Sequence, residues 1–350
     1  MKTVTIGNNV DVVGQSSFYG CTSLTSVTLG SSVTAINRGA FYNCERLLEI
    51  NIPIGVTFVG DEAFRNCKAL TKVVLHDGLI TLSDSAFNSC VSLNEIVIPS
   101  SVTYIGDSCF YRCTSLETVG IGGSFTPVDK ATIARYAFYG CAALKSVRIG
   151  NSVSVVGQSS FEKCKSLTSV TLGSSVTRIE RGAFYDCESL PEITVPADVT
   201  FIGVEAFRNC KALTKVVLND GLLTLSDSAF HTCTSLKEIS IPASVTYIGD
   251  SCFYNCTALE TATVGDETSP IDQATVARYA FGNCTALTNV TLGRNIRSIG
   301  ASVFYKCSGL TELYTLNDSS AWESISKDGN WAANSSIVKI VCSDGEIERS

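Results

Sequence analysis

The sequence predicts a solenoid, a stack of short coils that bury their apolar faces against one another, and three observations predict it. The first is a period. The pattern L-x-x-V-x-L-x-x-x-V-x-x-I-x-x-x-A-F-x-x-C returns thirteen times, with its phenylalanine at Phe18, Phe41, Phe64, Phe87, Phe110, Phe138, Phe161, Phe184, Phe207, Phe230, Phe253, Phe281 and Phe304. Ten of the gaps are 23 residues and two are 28. A fixed spacing of this size marks a unit that cannot bury its own core and must stack on its neighbours. The second observation is that thirteen of the sixteen cysteines sit three residues after the repeat phenylalanine. The third is that the repeat runs nearly end to end without a linker, with 45% hydrophobic residues to fill one continuous core.

The elements of one coil can be read in order from Leu70 to Cys90. Leu70, Val73 and Leu75 give an alternating stretch, a short strand with Val73 and Leu75 inward and Lys72 and Val74 outward. Gly78 marks a turn, and Leu79 and Leu82 form a second inward pair on a bent extended segment. Ser83-Asp84-Ser85 then supplies capping residues for a short helical turn, which Phe87 and Cys90, at i and i+3, pin to the core. Stacked coils align these positions into a parallel sheet and a core ladder, here represented by Phe41, Phe64 and Phe87 with Cys44, Cys67 and Cys90.

The cysteines read as core. Equivalent positions in stacked coils lie about 5 Å apart, which makes disulfides geometrically conceivable. A ladder of identical neighbours gives no unique pairing, however, and a free cysteine behaves as a small buried hydrophobe. Reduced, buried thiols are therefore expected, with Cys109 and Cys252 filling the small-residue slot before the phenylalanine and Cys342 outside the repeat. With no C-x-x-C run and only His76 and His231, no zinc site is expected.

Composition excludes several function classes. Net charge is −7 with no Lys/Arg cluster, so the basic stripe that nucleic acid requires is missing. No run approaches the roughly 18 apolar residues of a membrane span. The chain opens mid-repeat, Met1-Lys2-Thr3-Val4-Thr5-Ile6 aligning with Lys145-Ser146-Val147-Arg148-Ile149, with neither a signal peptide nor a polar N-terminal cap. That suggests a piece of a longer protein, or an end that associates with another copy.

The run Ile105-Gly106-Asp107-Ser108-Cys109-Phe110-Tyr111-Arg112-Cys113-Thr114-Ser115-Leu116, preceded by Ile98-Pro99-Ser100-Ser101-Val102, resembles the repeat of BspA-like (bacterial, Treponema-type) leucine-rich repeat proteins. Trp322 to Lys327, Trp331 and Val341 to Gly345 look like the tail that ends many such arrays. One departure from the general leucine-rich motif is that Gly78 occupies the slot of its asparagine ladder, which sets the chain apart from eukaryotic receptor repeats. The expected fold is a leucine-rich repeat solenoid, a β-rich α/β array. It should form a curved right-handed stack of about 13 coils, with a parallel sheet on one face and short helical turns on another. The array is placed at residues 1–312 and a capping segment, with Trp322 and Trp331 over the last coil, at 313–350. The resemblance implies a cell-surface or secreted location and an adhesive role toward host or matrix glycoproteins or other cells.

Function should lie where the repeat is broken. A six-repeat block recurs 143 residues on, Val12-Val13-Gly14-Gln15-Ser16-Ser17-Phe18 returning as Val155-Val156-Gly157-Gln158-Ser159-Ser160-Phe161, which implies two similar surfaces on one rod. Each block carries a five-residue insertion, with Phe125 and Asp129 in the first and Asp272 in the second. Outward charges run Glu49, Lys72, Glu95 and Glu192, Lys215, Glu238. Aromatics Phe58, Tyr104, Phe201 and Tyr247 fill an outward slot held by Thr81, Arg178 and Thr224 elsewhere, where they could stack on sugars or anchor a protein. The recurring Asp61, Asp84 and Asp107 read as turn caps rather than a catalytic carboxylate pair. His76 and His231 do not share the 143-residue spacing, and no G-x-S-x-G or phosphate loop occurs. The expectation is a non-catalytic module with no cofactor, whose partner is a protein or glycoprotein, a glycan being the second option. The alternatives are a structural spacer in a longer surface protein and a carbohydrate-binding rod.

Overall fold

The computed structural model describes residues 1–123, 131–267 and 274–349. They form two compact units, Met1–Val176 and Thr177–Ser350. Each unit is a parallel β-solenoid whose coils contribute a first strand, a second strand and a run of tight turns. In the first unit the second strands Val12–Val13, Ala35–Ile36, Phe58–Val59, Thr81–Leu82, Tyr104–Ile105, Ala131–Ile133 and Val153–Val156 pair in sequence order in parallel register. In the second unit the same role falls to Arg178–Ile179, Phe201–Ile202, Thr224–Leu225, Tyr247–Ile248, Ala274–Val276, Ile296–Ile299 and Ser326–Lys327. The two-residue strands of the repeat bury one inward residue each, such as Val59, Leu82 and Ile105, and longer ones such as Ala131–Ile133 bury two.

The core is the expected ladder. Within the first unit the rings of Phe18, Phe41, Phe64, Phe87, Phe110, Phe138 and Phe161 lie nearly parallel with centroids 5.0 to 5.3 Å apart. Planes this parallel at this separation are offset stacks, the favoured arrangement for aromatic pairs. Phe184 through Phe304 repeat it in the second unit, at 5.2 to 5.9 Å. Beside the rings run the thiols. All sixteen cysteines are free, and all but Cys21 are buried. Along the ladder the thiols donate to the carbonyl of the previous coil's phenylalanine, as in Cys67 Sγ to Phe41 O at 3.3 Å and Cys210 Sγ to Phe184 O at 3.3 Å. A small apolar side chain with one weak donor suits that slot, and this explains cysteine better than packing volume alone.

The turn run departs from expectation. No helix forms around the phenylalanine; the segment is a chain of consecutive turns. Its amides alternate between two partners: Ala86, Asn88 and Cys90 donate to carbonyls three residues back, while Ser85, Phe87 and Ser89 donate to the next coil. Half of the donors are thus spent on stacking, and an α-helix would need all of them for its own coil. The alternation forces positive φ at two places per coil, for example Ser85 (φ 56) and Ser89 (φ 60). Glycine takes the same places at Gly39 and Gly140. The repeated aspartates are also redirected. Asp84 Oδ1 accepts from the backbone of Asp107 in the following coil at 2.8 Å, and Asp107 Oδ1 from that of Arg135 at 2.9 Å, so they cap the next coil and not their own turn.

At the end of the second unit, Glu312–Thr315 pairs in parallel with Asn289–Leu292 and with Lys339–Cys342, and the latter closes an antiparallel hairpin with Gly345–Glu348. A six-residue helix, Ser319–Ser324, carries the buried Trp322. Trp331 stands edge-on to both Phe304 (6.3 Å) and Trp322 (5.8 Å), so the run of parallel rings ends against an indole set across it.

Candidate functional site

The first strands build a recessed surface whose ladder is interrupted. In the first unit Thr3–Thr5 pairs with Ser26–Thr28, Glu49–Asn51 with Lys72–Val74, and Glu95–Ile98 with the strands that follow it, but no ladder joins these groups. In the second, Glu192–Thr194 pairs with Lys215–Val217, and a new ladder begins at Glu238–Ile241. The strand before each break has three residues and runs into a half-buried leucine, Leu29, Leu75 or Leu218, where unbroken ladders carry the buried Ile98, Ile121 or Ile241. Leu75, expected inward, is therefore only half-buried. A γ-branched side chain suits the pleat less well than a β-branched one, although Leu292 is accommodated in a full strand.

Two open clefts lie over such breaks. One, of 530 Å³, is lined by Leu29, Ser31, Glu49, Asn51, Pro53 and Lys72 among others. The other, of 340 Å³ in the second unit, is lined by Lys215, Leu218, Glu238, Ser240, Thr261 and Thr263 among others. Four of the outward charges expected from sequence thus lie in clefts, with Glu49 opposite Lys72 in register. Glu95 lines neither cleft; it begins the next ladder, which displays Val97 at 69% exposure beside the bare backbone of Gly120.

The four expected aromatics sit elsewhere, on the second strands. Phe58 and Tyr104 flank Thr81 in register, two rungs or roughly 9.5 Å apart. Phe201 and Tyr247 flank Thr224 in the same way. Phe58 and Tyr104 are 37% exposed and Tyr247 36%. Tyr104 is held by its hydroxyl, which donates to Asp84 at 3.1 Å; burial and that carboxylate push its pKa up to about 12. Tyr247 and Asp227 repeat the arrangement at 3.1 Å, with the pKa again pushed up to about 12. Phe201 differs from Phe58, for the Arg178 guanidinium lies 4.2 Å over its ring. Charged stripe and aromatic stripe therefore belong to separate sheets and do not form one site. Phe125, Asp129 and Asp272 lie outside the described residues.

A third feature escaped sequence reasoning. The residue after the repeat phenylalanine, so often tyrosine, forms its own column on the turn face. Tyr19 stacks on Tyr42 at 5.0 Å and Tyr111 on Tyr139 at 5.0 Å. The recurring Phe-Tyr dipeptide was the available signal. In the second unit the column opens into a 330 Å³ cleft lined by His231, Ser251, Tyr254, Tyr279 and Tyr305.

Among the described residues no three His, Cys, Asp or Glu side chains are grouped to hold a metal ion, and no helix is long and apolar enough to cross a membrane. Asp84 and Asp107 spend their carboxylates on backbone N–H groups, on the Tyr104 hydroxyl and on the Arg135 guanidinium.

The sequence model of one family, the BspA type leucine-rich repeat region, matches residues 1–117, 131–260 and 261–343. A leucine-rich repeat protein from Bacteroides ovatus is similar in structure, with a TM-score of 0.64 and 26% identity over 97% of this chain and 92% of that one. A leucine-rich cell surface protein from Faecalibacterium prausnitzii aligns at a TM-score of 0.42 and 26% identity, over 94% of this chain and 83% of that one. The pneumococcal vaccine antigen PcpA aligns at 0.48 and 19% identity, over 96% and 77%. No curated protein sequence matches the chain.

Proposed function

This chain belongs to the family of BspA-type leucine-rich repeat proteins, and from that premise we propose that it is a non-catalytic binding module of a bacterial cell-surface or secreted protein, serving adhesion to a host or matrix glycoprotein or to another cell. The observation that carries the proposal is the pair of open clefts on the first-strand sheets, each combining both signs of charge with partly exposed Val and Leu carbon. Such a surface suits a protein ligand: apolar carbon supplies contact area, while opposed charges such as Glu49 and Lys72 set register and orientation. Carboxylates already committed to backbone and tyrosine donors are poorly placed for acid–base work, which favours binding over catalysis.

The test is a binding screen of the full chain against purified matrix proteins and oligosaccharides, followed by two variant sets. Lys72→Ala with Lys215→Ala should weaken capture of the protein ligand about tenfold, as expected for charges at a recognition surface. Phe58→Ala, Tyr104→Ala, Phe201→Ala and Tyr247→Ala together should leave it within about twofold. Loss confined to the aromatic set would move the site to the second-strand sheet, and no protein ligand in the screen would leave the role of spacer.

A further inference from the structure

We infer that the second unit carries a separate binding site for a pyranose ring, in the cleft formed by His231, Ser251, Tyr254, Tyr279 and Tyr305, independent of the clefts assigned above to a protein ligand. The argument begins with a difference between residues 143 apart. In the first unit Tyr139 fills the turn-face column: it stacks on Tyr111 at 5.0 Å, meets Tyr136 edge-on at 5.7 Å and takes up the Lys163 ammonium at its hydroxyl. Its counterpart is Gly282. With that ring gone, Tyr254 leans over the bare backbone, so that a Cβ on Gly282 would meet Tyr254 Cδ2 at 2.7 Å. Two further exchanges enrich the walls, since His231 stands where the first unit has Asn88 and Tyr305 where it has Glu162. His231 stacks on Tyr254 at 5.3 Å, and Tyr279 stands edge-on to Tyr254 at 6.4 Å and to Tyr305 at 5.5 Å.

The chemistry of the walls selects the occupant. Aromatic planes at 83° and 90° make a corner, where a ring can lay its C–H face on one plane while its substituents reach the hydroxyl at the edge of the next. Among the described residues the hydroxyls of Ser251, Tyr254, Tyr279 and Tyr305 make no hydrogen bond to another side chain or backbone group, unlike Tyr104, Tyr139 and Tyr247, whose hydroxyls are engaged. An apolar side chain in the corner would strip water from four hydroxyls and return nothing, whereas the hydroxyls of a sugar replace those bonds. A cationic ligand is disfavoured, because Arg278 and Lys306 already lie 5.9 and 5.3 Å over Tyr279 and Tyr305. His231 adds a neutral polar edge, burial and Arg208 both holding its pKa below the ordinary imidazole value.

The experiment is a titration of the full chain with a panel of neutral and acidic oligosaccharides, followed by saturation-transfer NMR and calorimetry. At least one pyranose class should bind below about 10 mM, with saturation concentrated on one terminal ring. Gly282→Tyr, which restores the ring of the first unit, should weaken binding at least about tenfold. Should that variant fold poorly, Tyr279→Phe and Tyr305→Phe preserve shape, and each should cost about fivefold through one lost hydrogen bond with thermal stability unchanged. Lys215→Ala and Glu238→Ala should not alter the titration, which separates this site from the protein-binding clefts. The inference is overturned if no sugar in the panel binds, or if binding survives both Gly282→Tyr and the paired Tyr→Phe changes.

Discussion

Residues 143 apart share a frame and differ in what they present. Phe87 and Phe230, Cys67 and Cys210, Asp84 and Asp227, Tyr104 and Tyr247 have matching environments in the two units, down to a 3.1 Å tyrosine–aspartate bond in each. At some outward positions the two units part, although Lys72 and Lys215 or Glu95 and Glu238 are still shared. Ala35 has become Arg178, which covers Phe201 where Phe58 stays open, and Tyr139 has become Gly282, which opens a cleft where a stacked ring stood. Inward residues answer to two neighbouring coils at once, so a change there must be absorbed on both sides. Outward residues answer to solvent or to a ligand, and the copies are free to part.

The comparison can be broken most forcefully in the core. Phe87→Ala and Phe230→Ala should each cost about 3 to 5 kcal/mol in denaturant unfolding, and the two costs should agree. A marked inequality would mean that the units are not equivalent frames. Next in size is an alkaline effect. Burial and the neighbouring Cys21 thiol raise Cys44 to about 12, and burial raises Cys113 to about 12, against an ordinary 9.0. Below pH 9 these thiols are protonated in both folded and unfolded chains, and their contribution is complete. As pH climbs from 9 toward 12 only the unfolded chain ionises, so stability should fall, by about 2 kcal/mol per exposed thiol at pH 10.5. A urea midpoint that does not move between pH 8 and 10.5 would contradict the buried ladder. Smaller again, Tyr139→Gly should cost about 1.5 kcal/mol in the first unit through lost stacking and added backbone freedom. Least of all, Arg178→Ala should cost about 0.5 kcal/mol while raising the accessibility of Phe201, readable by quenching.

Much of the frame was legible because the coil repeats its inward residues thirteen times: Phe87, Cys90, Val73 and Leu82 could be placed from spacing alone. The helical turn was misjudged for a physical reason. Ser-x-Ser-Ala-Phe-x-x-Cys has the i, i+3 spacing of a helix, but spacing does not reveal that Ser85, Phe87 and Ser89 give their amides to the next coil. The outward rows were half-legible. Alternation identifies Lys72 as outward on the first strand and Phe58 as outward on the second, but only the structure puts Lys72 in a cleft. The tyrosine cleft could not be read, since Gly282 matters through the absence of a ring that its counterpart Tyr139 supplies.

The thiol ladder makes each coil a reporter of its own opening. A repeat cysteine is shielded twice, by its neighbours and by a proton that burial makes hard to remove, and an alkylating reagent needs both a path and a thiolate. Labelling in the native state therefore requires that coil to separate from the next, at a rate set by how often it does so. Cys21, the one half-buried thiol, should be modified first. The order in which the others follow, read by mass spectrometry from a single reaction, would chart local stability along each unit without introducing a probe.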